Sequence, residues 1–402
     1  MLRTRRGFFD VLGGGGSAEG GGAWLAARGH EAYVAELQAP ARSARPPLPP
    51  GVTEIRLSSN ENPLGPGRRV LDAIVKKFPE AGRYPFNSTP ADRNLVAAIA
   101  AAHKVKPENV VLGAGSQEIL KNAVRAFTGP DRGLLTASPT FENPTTMARR
   151  LGYPVKEVGV DSAFRLDVDA MMAAAPGAGL VFFNNPNNPT ATVHDAKTVT
   201  AFVERVRAAA PGAAILIDEA YHDYVTDPGY ATAIPLALET PDVFVTRTFS
   251  KAFGMAGLRI GYAVGRAETI KQIARFKMPY NVSVFGVAAA LAALEDPAYL
   301  EGERRRNTEV RAFTQKVLED LGCACTASQG NFLFVDVRRP AREFREACAK
   351  HGVVVGRDFP PFEKTHARIS IGTMAEMKKA AEVFGSVLKA TTLAGGREAS
   401  WR

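Results

Sequence analysis

The sequence predicts an α/β protein with a large domain built on a mostly parallel sheet. Helices cover both faces of that sheet in three layers, α/β/α, and a smaller α+β domain stands beside it. Three observations carry the prediction. Short apolar runs, NVVLGAG, RGLLTASP, GLVFFNNP, AAILIDEAY and DVFVTRTFS, alternate with segments of helical spacing such as SQEILKNAVRAF and TVTAFVERVRAAA. Strand, loop and helix repeated in this way build a parallel sheet buried on both sides. The chain has 402 residues, more than one hydrophobic core of roughly 250–300 residues organises.

The first fifty residues differ from the rest. Arg5 and Arg6 precede Phe8 and Phe9 and then a glycine-rich tract, an arrangement similar to a twin-arginine export signal. Glu19 and the glycines weaken its apolar stretch, so a basic leader on a cytoplasmic protein is the equal alternative. APARSARPPLPPG then reads as a stiff linker. The large domain is expected over 86–290. After GVAAALAAL a long charged helix leads to GNFLFVDV, GVVVGRDF and ARISIG, a strand-helix-strand-strand unit. The small domain is therefore expected over 51–85 with 291–392.

Composition excludes several classes. The net charge of +9 comes from scattered Lys and Arg residues with no nucleic-acid motif. No run approaches the 18 or so apolar residues that a membrane span needs. Cys323, Cys325 and Cys348 form neither an even disulfide framework nor a CxxC pair, and no His/Cys/Asp cluster has metal-ligand spacing. The histidines, among them His194, His222 and His366, are expected at the solvent face or as local caps.

Ligands on parallel sheets bind beyond the carboxyl ends of the strands, where these runs place their unusual residues. LGAGSQEILKNAVRAF sets Gly113, Gly115 and Ser116 at a helix start, a seat for phosphate or simply a cap. Asn188 follows one apolar run, Asp218 and Tyr221 another, and TFSKAFGMAGLRIGY encloses Lys251 among apolar neighbours with Arg259 eight positions on. Read singly, Asp218 and Tyr221 close a turn and Arg259 is a surface cation. Read together, a phosphate seat, a strand-end aspartate, a phenol, a lysine and an arginine are the parts that hold pyridoxal phosphate.

At this point the chain resembles the fold-type I, class I/II pyridoxal-phosphate aminotransferases, and within them the histidinol-phosphate aminotransferases. LSSNENPLGP, RYP, GAGSQE, NNPNNPT, IDEAY, SKAFGMAGLRIGY and RISIG stand in the family's order between about Ile55 and Leu388. The resemblance implies that Lys251 bonds the aldehyde of pyridoxal 5'-phosphate and later carries the proton, with Asp218 on the ring nitrogen. It implies Tyr221 and Asn188 on the ring oxygen, Phe141 on the ring face, and Gly115, Ser116, Gln117, Thr248, Ser250 and Arg259 around the phosphate. Tyr84 would reach the cofactor of a second subunit in a homodimer. Arg368 would take the substrate carboxylate, with Asn62, Asn331 and Arg357 also on the substrate side.

The activity so implied moves an amino group between an L-amino acid or a histidinol-phosphate-like amino-alcohol phosphate and a 2-oxo acid. The same fold and cofactor suit an amino-acid decarboxylase or oxidase, because neither fixes which Cα bond breaks. A non-enzymatic regulator would need a DNA-binding module, which the Gly- and Pro-rich leader does not resemble. Two departures stand out. The family's NPTG is NPTA here, with Ala191, and GVVVGRDFPPFEK inserts Gly356 before Arg357 and adds aromatic residues, so the substrate pocket is expected to differ.

Overall fold

The strands of the computed structural model, which describes residues 53–84 and 91–398, are β1 Ile55–Leu57, β2 Val110–Ala114, β3 Gly133–Ser138, β4 Val155–Gly159, β5 Ala178–Asn184, β6 Ala214–Asp218, β7 Val243–Thr248, β8 Ile260–Gly265, β9 Phe332–Asp336, β10 Val353–Val355 and β11 His366–Ser370. The leader and the proline-rich linker lie outside the described residues.

Seven strands form the main sheet in the order β2-β8-β7-β6-β5-β3-β4. The five apolar runs of the sequence supply β2, β3, β5, β6 and β7. β8 runs antiparallel to both of its neighbours, whereas the pairings among β3 to β7 are parallel. β4 is an edge strand whose residues are partly or fully exposed, so it lacks the continuous apolar signature of the central strands.

Alternation along the strands explains the layers. Leu134, Leu180, Phe182, Leu216 and Phe244 pack under the helix Ser116–Phe127, which buries Ile119, Leu120, Ala123, Val124 and Phe127 at helical spacing. Their strand neighbours Leu135, Val181, Phe183, Ile215 and Val245 meet Val199, Phe202, Val203 and Val206 of the helix Ala196–Ala209 on the other face. A separate apolar cluster gathers Val310, Leu318, Leu333, Phe344, Val353, Ile369 and Phe384. There β9 pairs antiparallel with β11, and β1 pairs parallel with β10 through Ile55 and Val353. The segment after β1 thereby lies within reach of residues far along the chain.

Three of the histidines are a correction. His194 is buried, its Nε2 2.8 Å from the Leu166 carbonyl. His222 packs on Tyr230, and burial lowers its pKa to about 2. His366 stacks on Phe334 and meets Phe362 and Phe164. Single-residue polarity gave no sign of these aromatic neighbours, which arrive from other elements.

Ala191 is fully buried at φ 60°, so the position does use left-handed backbone. Its N–H reaches the Asn187 carbonyl at 2.8 Å, and its own carbonyl accepts from Gln329 at 2.7 Å. The strain of about 1–2 kcal/mol is matched by the roughly 0.8 kcal/mol that the buried methyl contributes and the 0.5–1 kcal/mol of chain entropy that glycine costs. Ala191→Gly is therefore expected to change stability by under about 1 kcal/mol, whereas Ala191→Val, β-branched at positive φ in a full site, should lose roughly 3 kcal/mol in denaturant unfolding.

Candidate active site

The carboxyl ends of three strands are in register: Asn184 of β5 lies beside Asp218 of β6, and Asp218 beside Thr246 of β7. Asp218 is buried, and Thr246 Oγ1 donates to its Oδ1 at 2.8 Å. Burial pushes its carboxyl up to about 7, with the Glu219 charge adding; the Thr246 and Ala220 donors and the Lys251 charge oppose the rise. A carboxylate so close to neutrality lacks a full cationic partner. Glu219 does not compete for one, since Arg247 holds it at 2.7 Å.

Tyr221 is buried in the turn after β6, its ring edge-on to Phe332 at 4.9 Å, and its hydroxyl accepts from Asn60 Nδ2 at 3.0 Å. Lys251, in the loop after β7, is half-buried. Its Nζ donates to the Ser59 carbonyl at 3.1 Å and lies 5.6 Å from the centre of the Tyr221 ring. Burial lowers the Lys251 pKa to about 8; the Arg368 and Arg259 charges push the same way, against Glu61 and Asp218. The partly dry lysine expected from sequence is present, and it can be neutral near physiological pH.

Beside it lies a cradle. Gly115 caps the helix Ser116–Phe127 at φ 72°, and the first N–H groups of a helix have no partner within it. A Cβ on Gly115 would overlap the Arg259 guanidinium, and a Cβ on Gly261 would overlap the Ser116 backbone nitrogen. Arg259 itself adopts left-handed backbone at φ 56° and reaches Ser250 Oγ at 3.3 Å and the Ala256 carbonyl at 2.8 Å. Thr248 Oγ1 accepts from the Ser250 N–H at 3.1 Å. The cradle thus offers a cation, hydroxyls and a helix amino terminus in one place, the donor set that a phosphate needs.

The opposite end of the site is also cationic. Arg368 of β11 is buried, donates from Nη1 to Asn188 Oδ1 at 2.7 Å and from Nη2 to the Ser58 carbonyl, and has a buried Nε with no partner. Burial lowers its pKa to about 10. With Oδ1 of Asn188 taken, its Nδ2 is the group that can donate to a ring oxygen. Asn62 Nδ2 donates to the Ala252 carbonyl at 2.9 Å, and Asn331 Nδ2 to the Asn60 carbonyl at 3.0 Å. Arg357 pairs with Glu142, the residue after the half-buried Phe141. Gln117 and Tyr84 are exposed; Tyr84 stacks on Tyr280 at 4.7 Å, and no described hydrogen bond or ring contact joins it to another residue of the site.

Four residues of this constellation were not singled out from sequence. Asn60 is buried at φ 54° and links Tyr221 to Ser370, whose Oγ donates to its Oδ1 at 2.8 Å. Thr246 supports Asp218. Asn184, in the amide orientation that satisfies both its ends, donates to the Asp218 carbonyl at 3.3 Å and accepts from the Asn188 N–H at 3.1 Å. For Asn184, Thr246 and Ser370 a polar residue in an otherwise apolar strand was the available signal, whereas Asn60 lies in the loop after β1; the strand order was needed to pair them.

A buried aspartate, a partly neutral lysine and a phosphate cradle match the ring nitrogen, aldehyde and phosphate of one cofactor, so the residues present fit pyridoxal phosphate. Comparison with known proteins agrees. Residues 52–384 match the family model described as aminotransferase class I and II, and the chain belongs to that family. It is similar to the histidinol-phosphate aminotransferase of Moorella thermoacetica, 36% identical over 322 residues that cover 79% of this chain and 81% of that one. The corresponding protein of Bacillus velezensis is 32% identical over 335 residues, 83% and 91% of the two chains. Among solved structures, histidinol-phosphate aminotransferase from Sinorhizobium meliloti in complex with pyridoxal-5'-phosphate superposes with a TM-score of 0.77 at 28% identity, covering 84% of this chain and 92% of that one. The protein is an enzyme, a pyridoxal-phosphate-dependent aminotransferase. The decarboxylase and oxidase alternatives are not favoured.

Proposed function

We propose that this aminotransferase takes an anionic donor, either an L-amino acid with a second anionic group on its side chain or an amino-alcohol phosphate of the histidinol-phosphate kind, and passes its amino group to a 2-oxo acid. The observation that supports this reading is a pair of guanidiniums on one ring: Arg357 lies 4.3 Å and Arg368 4.8 Å from the centre of Phe359. Arg368 keeps one donor, Nε, unsatisfied, a cost tolerated where an anion completes the set. The relatives' names point the same way.

Bound in the site, the cofactor supplies an electron-withdrawing ring that accepts the electron pair left when the donor's Cα loses its proton. In this proposal Lys251 Nζ, neutral for part of the time, carries that proton. Asp218, ionised by the charge on the ring nitrogen, keeps that nitrogen protonated. Tyr221 and Asn188 Nδ2 donate to the ring oxygen, Phe141 covers the ring face, and Gly115, Ser116, Gln117, Thr248, Ser250 and Arg259 hold the phosphate. Arg368 orients the donor, with Asn62 and Asn331 fixing the loop that carries Ser59 and Asn60. The separate apolar clusters support a large and a small domain, proposed here as 86–290 and 51–85 with 291–392; Ile55 and Leu57 lie in the smaller cluster, whereas Val70, Ala292 and Ala293 pack with the larger one.

A homodimer with shared sites completes the reading. Val75, Phe78, Tyr84, Met278 and Tyr280 are large apolar side chains left exposed, as a subunit interface requires. Sedimentation equilibrium is expected to give twice the chain mass, and a monomer with full cofactor affinity would refute the role of Tyr84.

The test of the donor is a spectral titration of the purified holoenzyme with L-histidinol phosphate, L-glutamate and L-phenylalanine. Bleaching of the visible cofactor band at the lowest concentration by L-histidinol phosphate or L-glutamate supports the reading. Preference for L-phenylalanine overturns it.

A further inference from the structure

The ion pair between Glu142 and Arg357 joins residues 215 positions apart in the chain, at the edge of the site already described. Its side chains are 46% and 42% exposed. A pair as open as that contributes under about 1 kcal/mol to stability. Glu142 occupies the amino-terminal end of the helix Asn143–Arg150, and its side chain makes no capping hydrogen bond there. The carboxylate turns instead to the guanidinium across the site.

Arg357 is held on its other sides. Its Nη1 donates to the Asp358 carbonyl at 2.9 Å and its guanidinium lies over Phe359. The Asp358 carboxylate is taken by Arg345 and does not compete. Phe359 is buried and also faces Arg368. Thus two cations share a ring: one is buried with a donor to spare, and the other is neutralised by a carboxylate that makes no capping hydrogen bond to its own helix.

We infer that Glu142 is a specificity-determining residue: paired with Arg357, it occupies the guanidinium that a donor's second anionic group would use, so such a donor binds only by displacing it. This rests on the anionic donor proposed above and names the residue that sets its threshold. A second group carrying two negative charges, such as a phosphate, displaces the carboxylate more readily than a single carboxylate does, because the competing pair is exposed and weak. A donor whose only anionic group is its α-carboxylate leaves the pair closed.

The experiment compares wild-type holoenzyme, Glu142→Gln, Arg357→Gln and the double variant. Steady-state rates are read with L-glutamate and L-leucine, and binding of the unreactive dicarboxylate glutarate by calorimetry. Glu142→Gln is expected to lower KM for L-glutamate and Kd for glutarate by about fivefold, leaving kcat and the L-leucine KM unchanged. In the double variant the gain should vanish. Equal changes for both donors, or a gain that persists without Arg357, overturn the inference, as does an unchanged glutarate affinity. If L-glutamate does not turn over in any variant, the dicarboxylate part of the proposed donor class fails while the glutarate titration still decides the role of Glu142.

Discussion

Replacing Lys251 by alanine is expected to lower kcat by about 10⁴-fold or more, because a positioned acid-base group alone is worth 10²–10⁴ and this amine also anchors the cofactor. The fold should survive, since the side chain is half-buried and its one hydrogen bond runs to the Ser59 carbonyl. The visible band of the purified protein should be lost or displaced in the variant. The wild-type lysine carries a pH signature as well. Burial and neighbouring guanidiniums lower its pKa from 10.5 to about 8, so the neutral, nucleophilic form grows as pH rises through 8. The rate at which stripped enzyme takes up pyridoxal phosphate should rise over the same interval, and a rate flat between pH 6 and 9 would show that Lys251 is not the attacking amine.

Asp218→Asn is expected to separate activity from stability. Turnover should fall by about 10²–10³-fold, since a neutral amide cannot hold the ring nitrogen protonated and a lost charge-assisted contact in a dry site costs roughly 3–4 kcal/mol. The stripped protein should move the other way. In the folded state this carboxyl is raised from 3.8 to about 7, so its contribution to stability is full below about pH 4 and is lost as pH climbs through 7. Three units at 1.36 kcal/mol each amount to roughly 4 kcal/mol at pH 8. Stripped Asp218→Asn should therefore unfold at higher denaturant concentration than stripped wild type at pH 8, and the two should converge near pH 4. An aspartate whose role was structural would lose stability on substitution at pH 8.

Added cofactor reverses the sign for the wild type. A protonated ring nitrogen beside Asp218 favours the ionised carboxyl, so the holoenzyme should not share the destabilisation of the stripped protein above pH 7. Differential scanning calorimetry of both forms across pH measures this directly.

The sequence by itself determined the class of fold and the chemistry. Continuous apolar runs can satisfy their backbone and bury both faces only in a covered sheet, so β2, β3, β5, β6 and β7 were legible as strands. The residues that end those runs, Asp218 and Thr248, and those in the turns beyond them, Tyr221 and Lys251, were legible as a site because polar groups at buried strand ends need a partner. Tertiary structure decided what pairs with what. β4 escaped because an exposed edge strand lacks the continuous apolar signal, and β8, buried throughout, because Gly261 and Gly265 interrupt its run directly behind the Lys251 loop. Thr246 became the support of Asp218 only once β6 and β7 lay side by side, and Asn60 joined Tyr221 only because β1 pairs with β10 nearly three hundred residues later. Glu142 facing Arg357, and His366 sunk among phenylalanines, have the same origin. Local periodicity reports what one segment buries, whereas the partner of a charge is fixed by the register and packing of segments distant in sequence.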